Sequence, residues 1–136
     1  MVDSFMKKLI IVAMVCLLLV PNTQVKAETV NTDGIQLRDD LIFILLYPLI
    51  QKELEKQYGE IKQNDCATIT QIKKLREGSY FFDVTVQVTT FEGAHNPPND
   101  LVTITFTNSG FDDWHVIKFD SKRLKKSDKY ECKQPL

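Results

Sequence analysis

Two side chains able to do acid–base chemistry, Glu92 and His95, lie close together in the segment Thr90–Asp100. Histidine titrates near neutral pH, so a carboxylate beside it makes a pair that can move a proton or hold a ligand. Gly93 permits a backbone conformation closed to other residues, and Asn96 is held extended by the proline that follows it. A segment this rigid preorganises a site, because little conformational entropy is lost on binding.

The candidate binding residues are therefore the reactive and conformationally restricted positions of this segment: Glu92, Gly93, His95, Asn96, Pro97 and Pro98. A structural interpretation stands beside this one. The two prolines also stiffen a long connection between strands and keep it from fraying. The sequence leaves both interpretations open.

Other classes of chemical site lack their residue sets. Zinc needs three or four convergent His, Cys or carboxylate ligands, and the two histidines, His95 and His115, have no paired spacing. No serine stands in a nucleophile-elbow pattern, and no glycine-rich loop is present to hold phosphate. We therefore predict no catalytic residue, no metal and no cofactor. The alternative is a secreted enzyme that uses His95 as acid, base or metal ligand.

Residues 1–27 have the pattern of a secretory signal peptide. Two lysines precede twelve consecutive apolar residues, 9–20, and small residues end the segment at Ala27. Twelve residues are fewer than the roughly 20 that a membrane-spanning helix needs. We predict export with cleavage after Ala27. An uncleaved membrane anchor is the alternative, and translation starts at either Met1 or Met6.

The predicted export determines which cysteines remain and in which redox environment they lie. Cys16 leaves with the signal peptide, so Cys66 and Cys132 remain in an oxidising compartment. Two cysteines permit one intramolecular disulfide, which would connect the start of the first predicted strand to the C-terminal tail. Two free thiols, or pairing between molecules, are the alternatives.

The net charge of −1 excludes a uniformly basic nucleic-acid-binding protein but hides an uneven distribution. Residues 28–117 contain seven Lys or Arg and fourteen Asp or Glu. Residues 118–136 contain seven Lys or Arg and only three Asp or Glu. The basic cluster consists of Lys122, Arg123, Lys125 and Lys126. Such a cluster favours an anionic wall polymer or membrane headgroups as partner. A solvated basic tail is the alternative.

One helix precedes the strands. Asp33 and Gln36 form a capping-box pattern, and Gly59 is typical of a helix end. Residues 41–50 are all apolar, so this helix must be covered on more than one face, which also allows a homodimer. Pro48 removes a helical hydrogen bond and predicts a kink or break nearby.

Four strands follow, because the apolar residues then alternate with polar ones. The predicted strands are Ala67–Leu75, Tyr80–Phe91, Leu101–Thr107 and Trp114–Phe119. In the last of them we expect His115 to face the covered side with Ile117 and Phe119, and Trp114 to face outward.

The predicted fold class is α+β, with an N-terminal broken helix packed on a four-stranded antiparallel meander. The order of elements is similar to that of cystatin-like and NTF2-like rolls. The predicted organisation is a signal peptide (1–27), one domain (28–120) and a basic C-terminal tail (121–136).

Three segments resemble the signature of domain-of-unknown-function family 3888: Phe82–Val86, Thr90–Pro98 and Thr103–Phe106. The family comprises short exported proteins of spore-forming Gram-positive bacteria, and the resemblance covers residues 37–119. It implies an exported single domain and names no activity. Where the family has an aromatic residue and glycine, this chain has Asn99 and Asp100.

We favour a binding or interaction module of the cell envelope, because a rigid segment and a basic end occur without a complete catalytic set. A protease inhibitor of the cystatin kind is a further alternative. Its first hairpin would contain Lys74–Gly78, which lacks a Gln-x-Val-x-Gly motif.

Overall fold

The computed structural model describes residues 32–110, 113–128 and 132, so the predicted signal peptide lies outside the described residues. The described elements are α1 (Thr32–Tyr58), β1 (Gln63–Lys74), β2 (Phe82–Glu92), β3 (Asn96–Thr107) and β4 (His115–Arg123). The strands form one antiparallel sheet in the order β1-β2-β3-β4, with the helix packed on one face. The predicted α+β architecture is confirmed.

The hydrophobic core lies between α1 and the middle of the sheet. Its buried side chains come every second residue from the two central strands and every fourth residue from the helix: Val84, Val86, Val88, Val102, Ile104, Phe106, Leu46, Ile50 and Leu54. The alternation in the sequence therefore identifies the buried face of β2 and β3 correctly.

Of the predicted kink or break near Pro48, the break is wrong, because α1 runs without interruption from Thr32 to Tyr58. A proline removes one helical hydrogen bond, but Leu46 and Ile50 on either side of it are both buried in the core. Core packing thus keeps the helix intact on both sides of the hydrogen bond that Pro48 removes. The helix ends as predicted at Gly59, whose φ is +76° and whose amide donates to the Glu55 carbonyl oxygen at 2.8 Å.

The long connection predicted between β2 and β3 is also wrong. The turn comprises only residues 93–95, and Asn96 already pairs with Glu92. The next pair is Thr90 with Asp100, so β3 contains extra residues that include the two prolines. A bulge accommodates prolines because they have no amide to donate to the ladder.

The last strand differs from the prediction in its length and in which of its side chains face the core. It continues to Arg123, so Lys122 and Arg123 belong to the sheet. Trp114 packs against the core and does not face outward. A register shift opposite Thr105 and Phe106 leaves Ile117 without a partner on β3, and its side chain is 53% exposed. The alternation of core-facing and outward-facing side chains is therefore reversed on the two sides of Ile117.

Candidate functional site

A groove with a volume of about 480 Å³ lies between the first half of α1 and the beginning of β1. We call it the α1–β1 groove. Its described lining residues are Gln36, Asp39, Asp40, Phe43, Ile44 and Tyr47 of α1, residues 64–69 of β1, and His95 and Cys132.

The helix contributes an aromatic wall to the groove. Residues 36, 40, 43 and 47 follow the three- and four-residue spacing of one helical face. Phe43 and Tyr47 contact each other edge to face, with ring centroids 5.6 Å apart. The all-apolar run that the sequence shows therefore supplies the wall of this groove as well as the core.

The strand contributes a bulge fastened by a disulfide. The register shifts between Asp65 and Thr68, and Cys66 between them has a φ of +53°. Cys66 is bonded to Cys132, with Cα atoms 4.6 Å apart. The disulfide expected from the sequence is thus present, and it fixes Cys132 at the groove.

His95 lies at the edge of the groove in the β2–β3 turn, with a φ of +60°. Its Nδ1 atom is 3.1 Å from Oδ2 of Asp65 on β1. Its ring stacks on Phe91, with centroids 4.0 Å apart and planes 22° apart. Asp65 at the β1 bulge and Phe91 near the end of β2 therefore hold the imidazole from two sides.

Gly93 shares the β2–β3 turn with His95, whereas the other predicted site residues do not join it. Glu92 forms an ion pair with Lys62 instead. The exposed residues Asn96, Pro97 and Pro98 are not among the described lining residues of the groove.

The predicted basic cluster lies elsewhere. Lys122 and Arg123 are on β4, at the opposite edge of the sheet from β1, and Lys125 and Lys126 follow that strand. All four residues are exposed, although Arg123 forms an ion pair with Asp100.

Sequence reasoning missed a buried polar cluster centred on Asp100, which we call the Asp100 network. Asp100 is 6% exposed and accepts a hydrogen bond at 2.9 Å from the Tyr58 hydroxyl, in addition to its ion pair with Arg123. Its backbone amide donates to Thr90 Oγ1 at 3.2 Å. The sequence did contain a signal. Asp100 lies two residues before Val102, so on a strand both side chains point toward the core. A charged side chain that faces a core must have polar or charged partners.

Lys62 extends this network to β2. Its side chain is largely buried, and the ammonium contacts the carboxylates of Glu92 and Glu60. The same ammonium lies 5.3 Å from the centre of the Tyr58 ring. The Glu92 hydrogen bond is the main cause of a raised Lys62 pKa. Together these contacts attach the end of α1 to β2, β3 and β4, which helps to fix the helix that forms the groove wall.

The Asp100 network predicts a late titration of Tyr58. Burial raises the pKa of Tyr58 above 10, and the hydrogen bond to Asp100 raises it further. Below pH 10 both folded and unfolded chains keep the phenol protonated, so this contribution to stability is complete. It is lost as pH rises through the raised pKa of the folded state.

Phenolate absorbance followed against pH tests this expectation. The wild-type curve minus that of Tyr58→Phe should have its midpoint above pH 10. Tyr80→Phe, which removes an exposed phenol, provides the control. A Tyr58 midpoint equal to that of Tyr80 would contradict the proposed environment.

The groove has a defined chemical character. Asp39, Asp40 and Asp65 are acidic, whereas none of the described lining residues is lysine or arginine. The buried amide atoms of Asn64 in the wall have no hydrogen-bond partner among the described residues. Buried polar atoms of this kind are usually satisfied by water or a ligand.

Two further findings concern the described residues only. No group of three or more His, Cys, Asp or Glu side chains among them is arranged to hold a metal ion. Within the same residues, no helix has the length and apolarity needed to cross a membrane.

Comparison with known proteins shows the family of the chain. Neither a curated protein nor a solved structure matches the chain. Residues 38–122, which include most of α1 and nearly all of the sheet, match the family described as protein of unknown function (DUF3888). This chain therefore belongs to the DUF3888 family.

Proposed function

We propose that the chain is an exported binding module of the cell envelope and that the α1–β1 groove receives its ligand. The groove itself carries this proposal. It is concave, it has an apolar wall containing Phe43 and Tyr47, and polar groups converge at its edge. Sites for small ligands and peptide segments usually combine these features.

The charge of the groove favours a positively charged, partly apolar ligand. Asp39 and Asp65 place carboxylates in a concavity, which attracts cations. The faces of Phe43 and Tyr47 suit an apolar body, and aromatic faces also attract cations.

The disulfide and the N-terminal sequence both support an extracellular location. Disulfides persist in oxidising compartments, and the Cys66–Cys132 bond forms part of the groove. The apolar segment 9–20 and the small residues before Glu28 are typical of a signal peptide.

The basic cluster gives the module a second contact. Lys122, Arg123, Lys125 and Lys126 are suited to an anionic wall polymer or to lipid headgroups. Lys122 and Arg123 are on the edge strand opposite β1. An acidic groove and a basic edge allow one domain to contact two components of opposite charge.

Capture from an envelope extract of the producing cells tests the proposal. Tyr47→Ala removes part of the groove wall, so we expect about tenfold weaker retention of the extracted ligand. Tyr80→Ala is the matched control, because Tyr80 is 86% exposed and lies outside the groove lining. Equal retention by both variants would refute binding in the groove. Replacing Lys122, Lys125 and Lys126, while Arg123 keeps its ion pair with Asp100, should abolish only the salt-sensitive part of retention.

Acid–base catalysis is the second candidate, favoured by the 3.1 Å contact between His95 and Asp65 at the edge of the groove. A carboxylate that orients an imidazole is a recurring arrangement in enzymes. Turnover of an envelope component that is lost in His95→Ala and kept in Tyr80→Ala would replace binding by catalysis.

A further inference from the structure

The helix α1 has a second apolar surface, which faces away from the core. Leu37, Leu41, Ile44 and Leu45 are 61%, 59%, 63% and 69% exposed. Together with the exposed Pro48 they form what we call the outer stripe. Their spacing of three, four and seven residues places them on one side of the helix, and Leu46, Ile50 and Leu54 on the other side are buried.

The outer stripe is unusual for a surface helix, which normally exposes its polar side. From Leu37 to Pro48 it extends over roughly 17 Å of helix. Contiguous apolar surface of this kind typically marks a site of interaction. The stripe is distinct from the Asp100 network and meets the α1–β1 groove only at Ile44.

The charges beside the stripe argue for a protein surface as its partner and against a lipid surface. Asp33, Arg38, Lys52 and Glu55 flank it, two of each sign. An anionic bilayer attracts helices whose polar sides are rich in lysine and arginine. A surface of mixed charge is better matched by another mixed surface.

We propose that a second copy of this chain packs on the outer stripe, with the two α1 helices antiparallel. A two-fold axis between Leu41 and Ile44 makes the patch self-complementary, since it brings Leu41 of each copy opposite Ile44 of the other. The same axis brings Asp33 opposite Lys52 of the second copy. A parallel pair would place Asp33 against Asp33 and Lys52 against Lys52.

The antiparallel arrangement has one further physical advantage. It opposes the dipoles of the two helices, whereas a parallel arrangement aligns them. In either orientation the contact buries large aliphatic side chains at its centre and leaves charged residues at its rim, as protein interfaces usually do. This inference concerns a different surface from the proposed ligand groove and does not depend on it.

Sedimentation velocity over a concentration series tests the association. The protein is produced by secretion, and its intact mass establishes the N-terminus. We expect the wild type to sediment as a dimer and Leu41→Glu to raise the dissociation constant at least about tenfold, because a carboxylate then enters the apolar contact. Ile61→Glu is the matched control, since Ile61 is 79% exposed and lies outside the stripe. It should leave the dissociation constant unchanged.

Charge exchange tests the antiparallel orientation. Asp33→Lys and Lys52→Asp should each weaken the dimer about threefold, and the double variant should restore it. Circular dichroism checks that each variant keeps its helix.

A wild type that is monomeric at every concentration would overturn the proposal, as would a dimer unaffected by Leu41→Glu. Failure of the double variant to restore association would overturn the antiparallel pairing. A monomer that binds anionic phospholipid vesicles through Leu41 would show that the stripe serves a lipid surface instead.

Discussion

Replacing both Cys66 and Cys132 by serine is expected to lower the free energy of unfolding by about 4 kcal/mol. The bond closes a loop with a sequence separation of 66. A loop of that length restricts the unfolded chain by about 4 kcal/mol in the chain-entropy description. Denaturant unfolding of wild type and double variant gives the difference directly. Because Cys132 lines the α1–β1 groove, the double variant should also lose affinity for the envelope ligand.

The reduced wild type is the control for this prediction, because it loses the bond and keeps the sulfur atoms. It should unfold at the same denaturant concentration as the double variant. A double variant as stable as the oxidised wild type would show that the disulfide contributes nothing to the fold. Unchanged ligand retention in a destabilised but folded variant would remove Cys132 from the binding surface.

Replacing Asp100 by alanine is expected to lower the free energy of unfolding by about 3 kcal/mol. Asp100 is 6% exposed, and its removal leaves the Tyr58 hydroxyl without its acceptor and Arg123 without its carboxylate. Arg123 reaches solvent, so the cost falls below that of a fully buried pair. Asp100→Asn keeps an acceptor for Tyr58 and should cost about half as much.

Asp120→Ala is the matched control for Asp100→Ala. Asp120 is an exposed carboxylate on β4, the strand that carries Arg123, and its loss should change stability by less than about 0.5 kcal/mol. Equal losses for the two alanine variants would contradict a stabilising network at Asp100. Chemical unfolding monitored by circular dichroism separates the two outcomes.

The sequence predicts the fold because its strongest patterns are local. Val84, Val86 and Val88 alternate with polar residues, and all three are buried as expected. Gly59 ends the helix for a reason that the sequence makes visible, since glycine readily takes the positive φ found there. Even the single possible pairing of Cys66 with Cys132 followed from counting the cysteines outside the predicted signal peptide.

What the sequence could not supply depends on contacts between distant positions. His95 contacts Asp65, thirty positions earlier, because a bulge on β1 and a turn after β2 meet at one end of the sheet. Because of the β4 bulge at Ile117, Trp114 packs against the core and not on the outer side. The alternation of apolar and polar residues in the sequence does not reveal an extra residue of this kind. The α1–β1 groove depends on where the helix lies on the sheet, so only its apolar wall was visible as a pattern.

Titration of the isotope-labelled protein with the envelope fraction it retains, followed by amide chemical shifts, tests the central claim most directly. If the α1–β1 groove is the binding site, the largest shift changes fall on residues 64–69, on His95 and on the lining residues of α1. Changes confined to Lys122–Lys126, with the groove unaffected, would contradict the account and leave the basic cluster as the binding surface.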